Sequence, residues 1–330
     1  MFIKDMVKKV YIKISYMMNC RKIEKAQKRY FEENKRLLEN ANDMYAIDQL
    51  EMYANRYRVI QYYETHDGRK YQPEIDFVRR QFPHWMQCTD ELAKFQNDFK
   101  KELEKIEYDF EKKMYYALRN NKKMYFKKSM TKDAVIRYFT ITCFEQSEFS
   151  AHRYLEGEFT IEENSVVFDI GAAEGIFALD AIDKVKELYL FECDEEWIEA
   201  LKYTFAGYDN IHIINKYVGN NNDENCIMLD EYLNIVQNKK LFIKMDIEGA
   251  EIVALEGAKK LLNQMTDLKL AVCAYHRQDD YENISKMLMG MEISKSKGYL
   301  CPMFGKITPP YFRIGVLRAL KRKSDYEKNN

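Results

Sequence analysis

The sequence predicts an α/β protein: a parallel sheet with helices on both faces over residues 131–330, preceded by an α-helical region over residues 1–130. Three observations lead there. Glycine is confined, with Gly68 alone in residues 1–150 and the other eleven beyond. Charge shifts at the same place, from 30 basic and 23 acidic residues before it to 22 and 30 after it. Past residue 160, short apolar runs alternate with segments of helical spacing, the pattern of successive strand–helix units.

Composition narrows the class. With 330 residues, 46% of them apolar, the chain is long enough for a sizeable α/β domain and a smaller appendage. A net charge of −1 gives no global case for nucleic-acid or membrane binding. The seven cysteines are scattered without a CxxC pair, which argues against a disulfide framework or a structural zinc site and fits a reducing, cytoplasmic setting.

The elements follow in order. Lys4, Lys8, Lys9 and Lys13 interrupt the first twenty residues, so a packing helix is expected there rather than a signal peptide or a transmembrane segment. A second helix is expected over 21–40, and Pro73 and Pro83 bracket a loop. From Leu92, apolar residues recur in steps of three and four at Phe95, Phe99, Leu103, Ile106, Phe110, Met114 and Leu118. Such a stripe predicts one long helix that packs within the chain or forms a homodimer seam. Basic residues then gather from Lys112 to Arg137, either as a solvated linker or as an anion-binding patch, the latter being the route to an RNA substrate.

The second region gives five strands: SVVFDI (165–170), ELYLFE (187–192), IHIIN (211–215), LFIKMD (241–246) and LKLAVCAY (268–275). GYLCPMF (298–304) and YFRIGVLRA (311–319) read as an antiparallel hairpin closing the sheet.

In open α/β sheets, ligands sit at the carboxyl ends of the strands. The first turn, VVFDIGAAEG, has Gly171 and Gly175 but Ala173 where a dinucleotide fingerprint wants glycine. Asp169 at the strand end and Glu174 in the turn are electrostatically wrong for a pyrophosphate. They suit the ammonium and sulfonium of S-adenosylmethionine, although Glu174 is equally explained by the helix N-terminus it precedes. Glu192 ends the second strand, where an acid commonly accepts hydrogen bonds from ribose hydroxyls of any adenosine cofactor.

DIGAAEG, the FE of the second strand, LDEYL (229–233) and KMDIEGAE, taken in that order, resemble the FkbM family of S-adenosylmethionine-dependent methyltransferases over about residues 140–320. The resemblance implies a class I methyltransferase fold, Rossmann-like and seven-stranded with a C-terminal antiparallel hairpin. It also implies O-methylation of a hydroxyl on a sugar, glycan or secondary metabolite. It places Asp169, Gly171, Ala172, Ala173 and Gly175 at the methionine end of the cofactor, with Ala173 in a slot often filled by Asn. Glu192 and the neighbouring Cys193 go to the ribose side, Val218 to the adenine, and Asp246 to the wall near the transferred methyl.

A hydroxyl acceptor calls for a base or strong hydrogen-bond acceptor beside it. Lys244 and Asp246 share one face of their strand, Glu248 begins the next turn, and His276 ends the fifth strand. Asp246 and His276 are the expected acceptor-side groups, with His276 the more suitable base near neutral pH. Lys244 then neutralises the acids, and Glu251 either joins the site or only supports its helix. Gln146 and His152, in EQSEFSAHRY, precede the first strand and are expected to fold over the cofactor. Asp246, Glu248 and His276 have the chemistry to hold a divalent cation, but their spacing carries no metal signature and no metal is expected. A non-catalytic scaffold is the remaining alternative.

Overall fold

The computed structural model describes residues 25, 29, 44–83, 86–303 and 307–322. The helix expected within 1–20 lies outside the described residues, as does the one expected over 21–40 apart from Lys25 and Arg29, which are helical. The chain divides into two units, one of Met1–Asp90 with Tyr299–Arg313, the other of Glu91–Gly298 with Ile314–Asn330.

In the first unit, helix α1 (Met44–Thr65), a short 3-10 turn at Arg69–Tyr71 and helix α2 (Gln72–Arg80) surround an apolar core. Val59, Ile60, Tyr63, Ile75 and Val78 pack there against Cys301, Met303 and Phe312 from the returning segment. Pro73 therefore starts a helix, as its fixed φ allows at the first helical positions, and does not open a loop.

The second unit begins with helix α3 (Glu91–Asp98) and the short helix α4 (Lys100–Leu103). The chain then turns into strands β1 (Glu107–Asp109), β2 (Met114–Arg119) and β3 (Lys122–Tyr125), which form an antiparallel meander. The boundary expected at residue 130 thus falls at 90, and the long helix expected from Leu92 ends at Leu103. Turn chemistry is the reason. Asp109 accepts hydrogen bonds from the Glu111 and Lys112 amides, and Asn120 and Asn121 adopt φ of 50° and 61° in a two-residue hairpin loop. Leu92 and Phe95 do pack inside the chain, against Phe144 of helix α5 (Lys132–Glu145), whose first turn is capped by Thr131.

The main sheet comprises β4 (Val166–Ile170), β5 (Glu187–Glu192), β6 (Ile211–Asn215), β9 (Leu241–Met245), β10 (Leu268–Cys273), β11 (Glu292–Lys295) and β12 (Val316–Lys321). A small parallel pair, β7 (Tyr217–Val218) and β8 (Cys226–Ile227), lies apart from it. The order is β11-β12-β10-β9-β4-β5-β6, with β6, β5, β4, β9 and β10 parallel and β12 antiparallel to β10 and β11. This is the seven-stranded, mostly parallel Rossmann-like sheet the sequence predicts, and all five predicted parallel strands are present. β4 and β9 are buried along their whole length, which is why they read as continuous apolar runs. The closing hairpin differs. Leu300 and Arg313 pair only as an isolated antiparallel bridge within the first unit, and β11 from residue 292 supplies the outer strand.

Helices α6 (Ile176–Ala181) and α7 (Glu195–Thr204) follow β4 and β5. After β9 come α9 (Glu251–Glu256) and α10 (Lys259–Gln264), with the single-turn α8 (Leu233–Val236) before it. Helix α11 (Asp280–Met287) follows β10. The first strand, β4, has β5 on one side and β9 on the other, so the chain reverses its direction of travel across the sheet there. A ligand crevice is expected outside the carboxyl ends of strands at such a switch point.

Candidate active site

A cavity of about 380 Å³ opens at that switch point. Gly171 and Ala173 from the turn after β4, Glu192 and Cys193 from the end of β5, Val218, and Asp246 and Glu248 after β9 all line it. These seven were expected from the sequence. Tyr138 and Trp197, whose rings lie 5.4 Å apart, were not, because nothing in the local sequence of α5 points at a crevice.

The turn after β4 is built around a close approach. Gly171 has φ +75°, and a Cβ there would lie 1.9 Å from the Asp246 carbonyl oxygen. The Asp246 amide donates to the Ile170 carbonyl at 3.0 Å, so the ends of β4 and β9 are held together beside the cavity. Gly175 serves packing instead: at φ +82°, its missing side chain leaves room for Leu201 of α7 and Phe205 just beyond it. Ala172 is buried, and neither it nor Gly175 lines the cavity.

Asp169 departs from expectation. The parallel register sets it beside Lys244, and the two form an ion pair at 3.0 Å with side-chain exposures of 0% and 6%. Asp169 therefore lies under the turn rather than facing the ligand crevice. Lys244 also donates to the Gly171 carbonyl, so this pair braces the turn from below. Burial alone would depress the Lys244 ammonium, but Asp169 and Asp246 outweigh it and hold it above the ordinary lysine range. Glu174 is likewise buried and off the cavity; it accepts a hydrogen bond from the Tyr138 hydroxyl, and burial lifts its carboxyl to about 7.

Glu192 is more committed than its sequence position indicates. Its Oε1 accepts from the Cys193 and Asp194 amides and its Oε2 from the Ala173 amide, at 2.8–2.9 Å. A carboxylate offers about four acceptor positions, so one remains, on Oε2. The carboxylate thus ties the first two crossover turns together and can take one ribose hydroxyl rather than two.

Several titratable side chains converge on Asp246. Its Oδ2 accepts from the Tyr154 hydroxyl at 2.8 Å and lies 3.4 Å from His152 Nε2. Its Oδ1 is 3.5 Å from His276 Nε2, and no described residue gives it a hydrogen bond. Burial would raise the Asp246 carboxyl, yet His152, Lys244 and His276 outweigh it and keep it well below the usual carboxylate range.

His276 follows β10 on a loop that Asp280 holds by accepting the Arg277 amide at 2.6 Å. Its Nδ1 lies 3.0 Å from Glu251 Oε1, which also accepts the Ile247 amide. Glu251 thereby fixes the ring so that Nε2 faces Asp246 and Glu248, each at 3.5 Å. Burial would lower this imidazole, but Glu251 and the neighbouring acids hold it above the ordinary histidine value. Glu251 therefore does more than support a helix start. His152, expected to fold over the cofactor, is buried against Asp246 and does not line the cavity. Gln146 serves its own segment instead, accepting from the Tyr154 amide at 3.5 Å.

The basic run is mostly paired. Arg119 binds Asp180, Lys127 binds Asp194, Lys112 lies 3.4 Å from Asp109, and Lys122 and Lys128 reach Asp183 and Glu199. It is neither a linker nor an open anion patch, because strands and a helix carry it against acidic neighbours. Among the described residues, no helix is long and apolar enough to cross a membrane.

No family model and no curated protein matches the chain. Among solved structures it is similar to a precorrin-6y C5,15-methyltransferase from Geobacter metallireducens, at 11% identity and TM-score 0.35 over 59% of this chain and 93% of that one. It is also similar to an rRNA methylase from Streptococcus thermophilus, at 18% identity and TM-score 0.33 over 49% and 90%. A Streptococcus mutans protein solved in complex with SAH aligns at 16% identity and TM-score 0.31 over 48% and 90%.

Proposed function

We propose that the chain is an S-adenosylmethionine-dependent O-methyltransferase of the FkbM type, acting on a neutral hydroxyl-bearing small molecule or carbohydrate. The observation that carries this reading is the cavity at the β4/β9 switch point, lined by Glu192 from the end of β5 and by Asp246 and Glu248 after β9. A nucleoside bearing a sulfonium and an ammonium suits such a crevice, whereas a pyrophosphate would meet carboxylates on both sides.

Methyl transfer is an in-line displacement: the acceptor oxygen forms a bond to the methyl carbon, the carbon–sulfur bond breaks, and the hydroxyl proton must leave. Asp246 Oδ1 accepts the hydrogen of the incoming hydroxyl and orients its lone pair. His276 Nε2, 3.5 Å from that oxygen, takes the proton, and Glu251 stabilises the resulting imidazolium. Positioning of donor and acceptor supplies the larger share of acceleration, about 7–11 kcal/mol in favourable intramolecular cases. The acidic rim disfavours phosphorylated acceptors, and the paired basic run gives RNA no open binding track.

Transfer of labelled methyl from S-adenosylmethionine to a panel of neutral saccharides and polyols tests the acceptor class. Label in a saccharide or polyol fraction, lost in the His276→Asn variant, supports it; label appearing only in RNA overturns it.

A further inference from the structure

Beneath the cavity lies a second convergence of donor atoms that methyl transfer does not use. His152 Nε2, Asp246 Oδ2 and Cys273 Sγ come from three separate parts of the chain and lie within 4.8 Å of one another. His152 precedes β4, Asp246 follows β9, and Cys273 ends β10. His152 and Cys273 are buried, and Asp246 is among the residues that line the cavity.

His152 Nε2 lies 3.4 Å from Asp246 Oδ2 and is hydrogen-bonded to Cys273 Sγ at 3.4 Å, a separation shared by a thiol–imidazole pair and by two ligands of one metal ion. Nitrogen–oxygen hydrogen bonds cluster near about 2.9–3.0 Å, so the imidazole and carboxylate stand too far apart for a good one. A tetrahedral zinc, with bonds of about 2.0–2.2 Å to nitrogen and oxygen and about 2.3 Å to sulfur, holds its donors about 3.3–3.6 Å apart. The neighbouring Asp246–Glu251–His276 group lacks this signature, since its His276–Glu251 contact closes to 3.0 Å, a hydrogen-bond length.

The surroundings agree. Glu145 Oε2 lies 3.8 Å from His152 Nδ1, behind the ring, where a carboxylate commonly orients a metal-bound histidine. His152 Nδ1 has no hydrogen-bond partner among the described residues. Tyr154 approaches Asp246 Oδ2 at 2.8 Å and supplies a hydroxyl beside the fourth position.

We propose that His152 Nε2, Asp246 Oδ2 and Cys273 Sγ form a zinc(II) site under the floor of the cavity. One nitrogen, one oxygen and one sulfur donor suit zinc and disfavour magnesium or calcium, which take oxygen sets. On binding, the Cys273 thiol loses its proton to solvent and its thiolate bonds to the metal. Thiolate and carboxylate together balance the dication, so the loaded site is neutral overall and leaves Glu192 and Glu248 among the acids lining the cavity. The bound ion fixes the orientation of the Asp246 carboxylate, which belongs to a residue lining the cavity.

Metal binding by the full chain tests this without any activity readout, so its failure is separable from failure of the methyltransferase reading. The protein is loaded with Zn(II) alone, passed through a desalting column and analysed for metal, and in parallel loaded with Co(II) for absorption spectroscopy. The expected result is about one equivalent retained and a near-ultraviolet thiolate-to-cobalt band. Cys273→Ser abolishes the band, Cys143→Ser keeps it, and Glu145→Gln weakens zinc binding about tenfold or more. Circular dichroism establishes that each variant is folded; if Cys273→Ser is not, His152→Gln must give the same loss of metal. Absence of retained zinc in the wild type, or a band unchanged by these donor substitutions, overturns the proposal.

Discussion

Replacing Lys244 by Met tests the brace beneath the cofactor turn. Methionine keeps an unbranched apolar stem of similar reach, so the change removes the charge and its hydrogen bonds more than the packing. In the wild type, the ammonium sits 3.0 Å from Asp169 Oδ1, with side-chain exposures of 6% and 0%, and also donates to the Gly171 carbonyl. Removing one partner of a buried pair strands the other charge and costs about 3–5 kcal/mol. With a urea m value of about 2–3 kcal/mol/M, the denaturation midpoint of the sheet-bearing unit falls by about 1–2.5 M. Stranded in the variant, Asp169 has a folded pKa above its unfolded value of about 3.9. Stability is then recovered below that pH and lost as pH rises through the folded value. In the wild type, the raised Lys244 pKa keeps the lysine's contribution intact below about 10.4, while burial already holds Asp169 above the ordinary carboxylate value, so the ion pair itself is lost on acidification. Adding Asp169→Asn to Lys244→Met restores most of the loss. Urea melts followed by circular dichroism check this; a loss under about 1 kcal/mol, or no recovery in the double variant, refutes the brace.

Three further outcomes follow from the same geometry. Glu174, lifted to about 7 by burial, binds a proton more tightly folded than unfolded, so its contribution is full below about pH 4.3 and lost as pH rises toward 7; Glu174→Gln should therefore stabilise the protein at pH 8, by about 3 kcal/mol at most, and flatten its stability profile. His276→Asn should lower kcat about a hundredfold or more while leaving affinity for S-adenosylhomocysteine within about threefold; because neighbouring acids raise the wild-type imidazole, kcat/KM should fall as pH drops through a value above 6.5. Gly171→Ala places a Cβ 1.9 Å from the Asp246 carbonyl at φ +75°, so a fold-competent variant should lose nucleoside binding by about tenfold or more, and melting with calorimetry separates the two effects.

Much of the sheet was legible because β4, β5, β9 and β10 are buried runs between turn signals, and such runs read the same in sequence and structure. The cavity residues at strand ends were legible for the same reason. What failed depended on register or on distant partners. Asp169 looked like a ligand contact because its neighbour Lys244 is 75 positions away and meets it only through the β4/β9 register. The strands after Leu103 were hidden because an Asn-Asn turn interrupts a pattern whose apolar steps also fit a helix. The outer strand of the hairpin was misplaced because Tyr299–Arg313 leaves the sheet to pack with the first unit. His152 and Cys273 lie 121 positions apart with no motif spacing, so their meeting appears only once β10 is set beside β9.

The most direct test of the account is calorimetric titration of the full chain with S-adenosylhomocysteine, wild type against Glu192→Ala. The account predicts saturable binding at about one site per chain, weakened about tenfold or more when the single remaining acceptor on Glu192 is removed. No binding heat at saturating ligand, across two temperatures so that a vanishing enthalpy is not mistaken for absence, would contradict it.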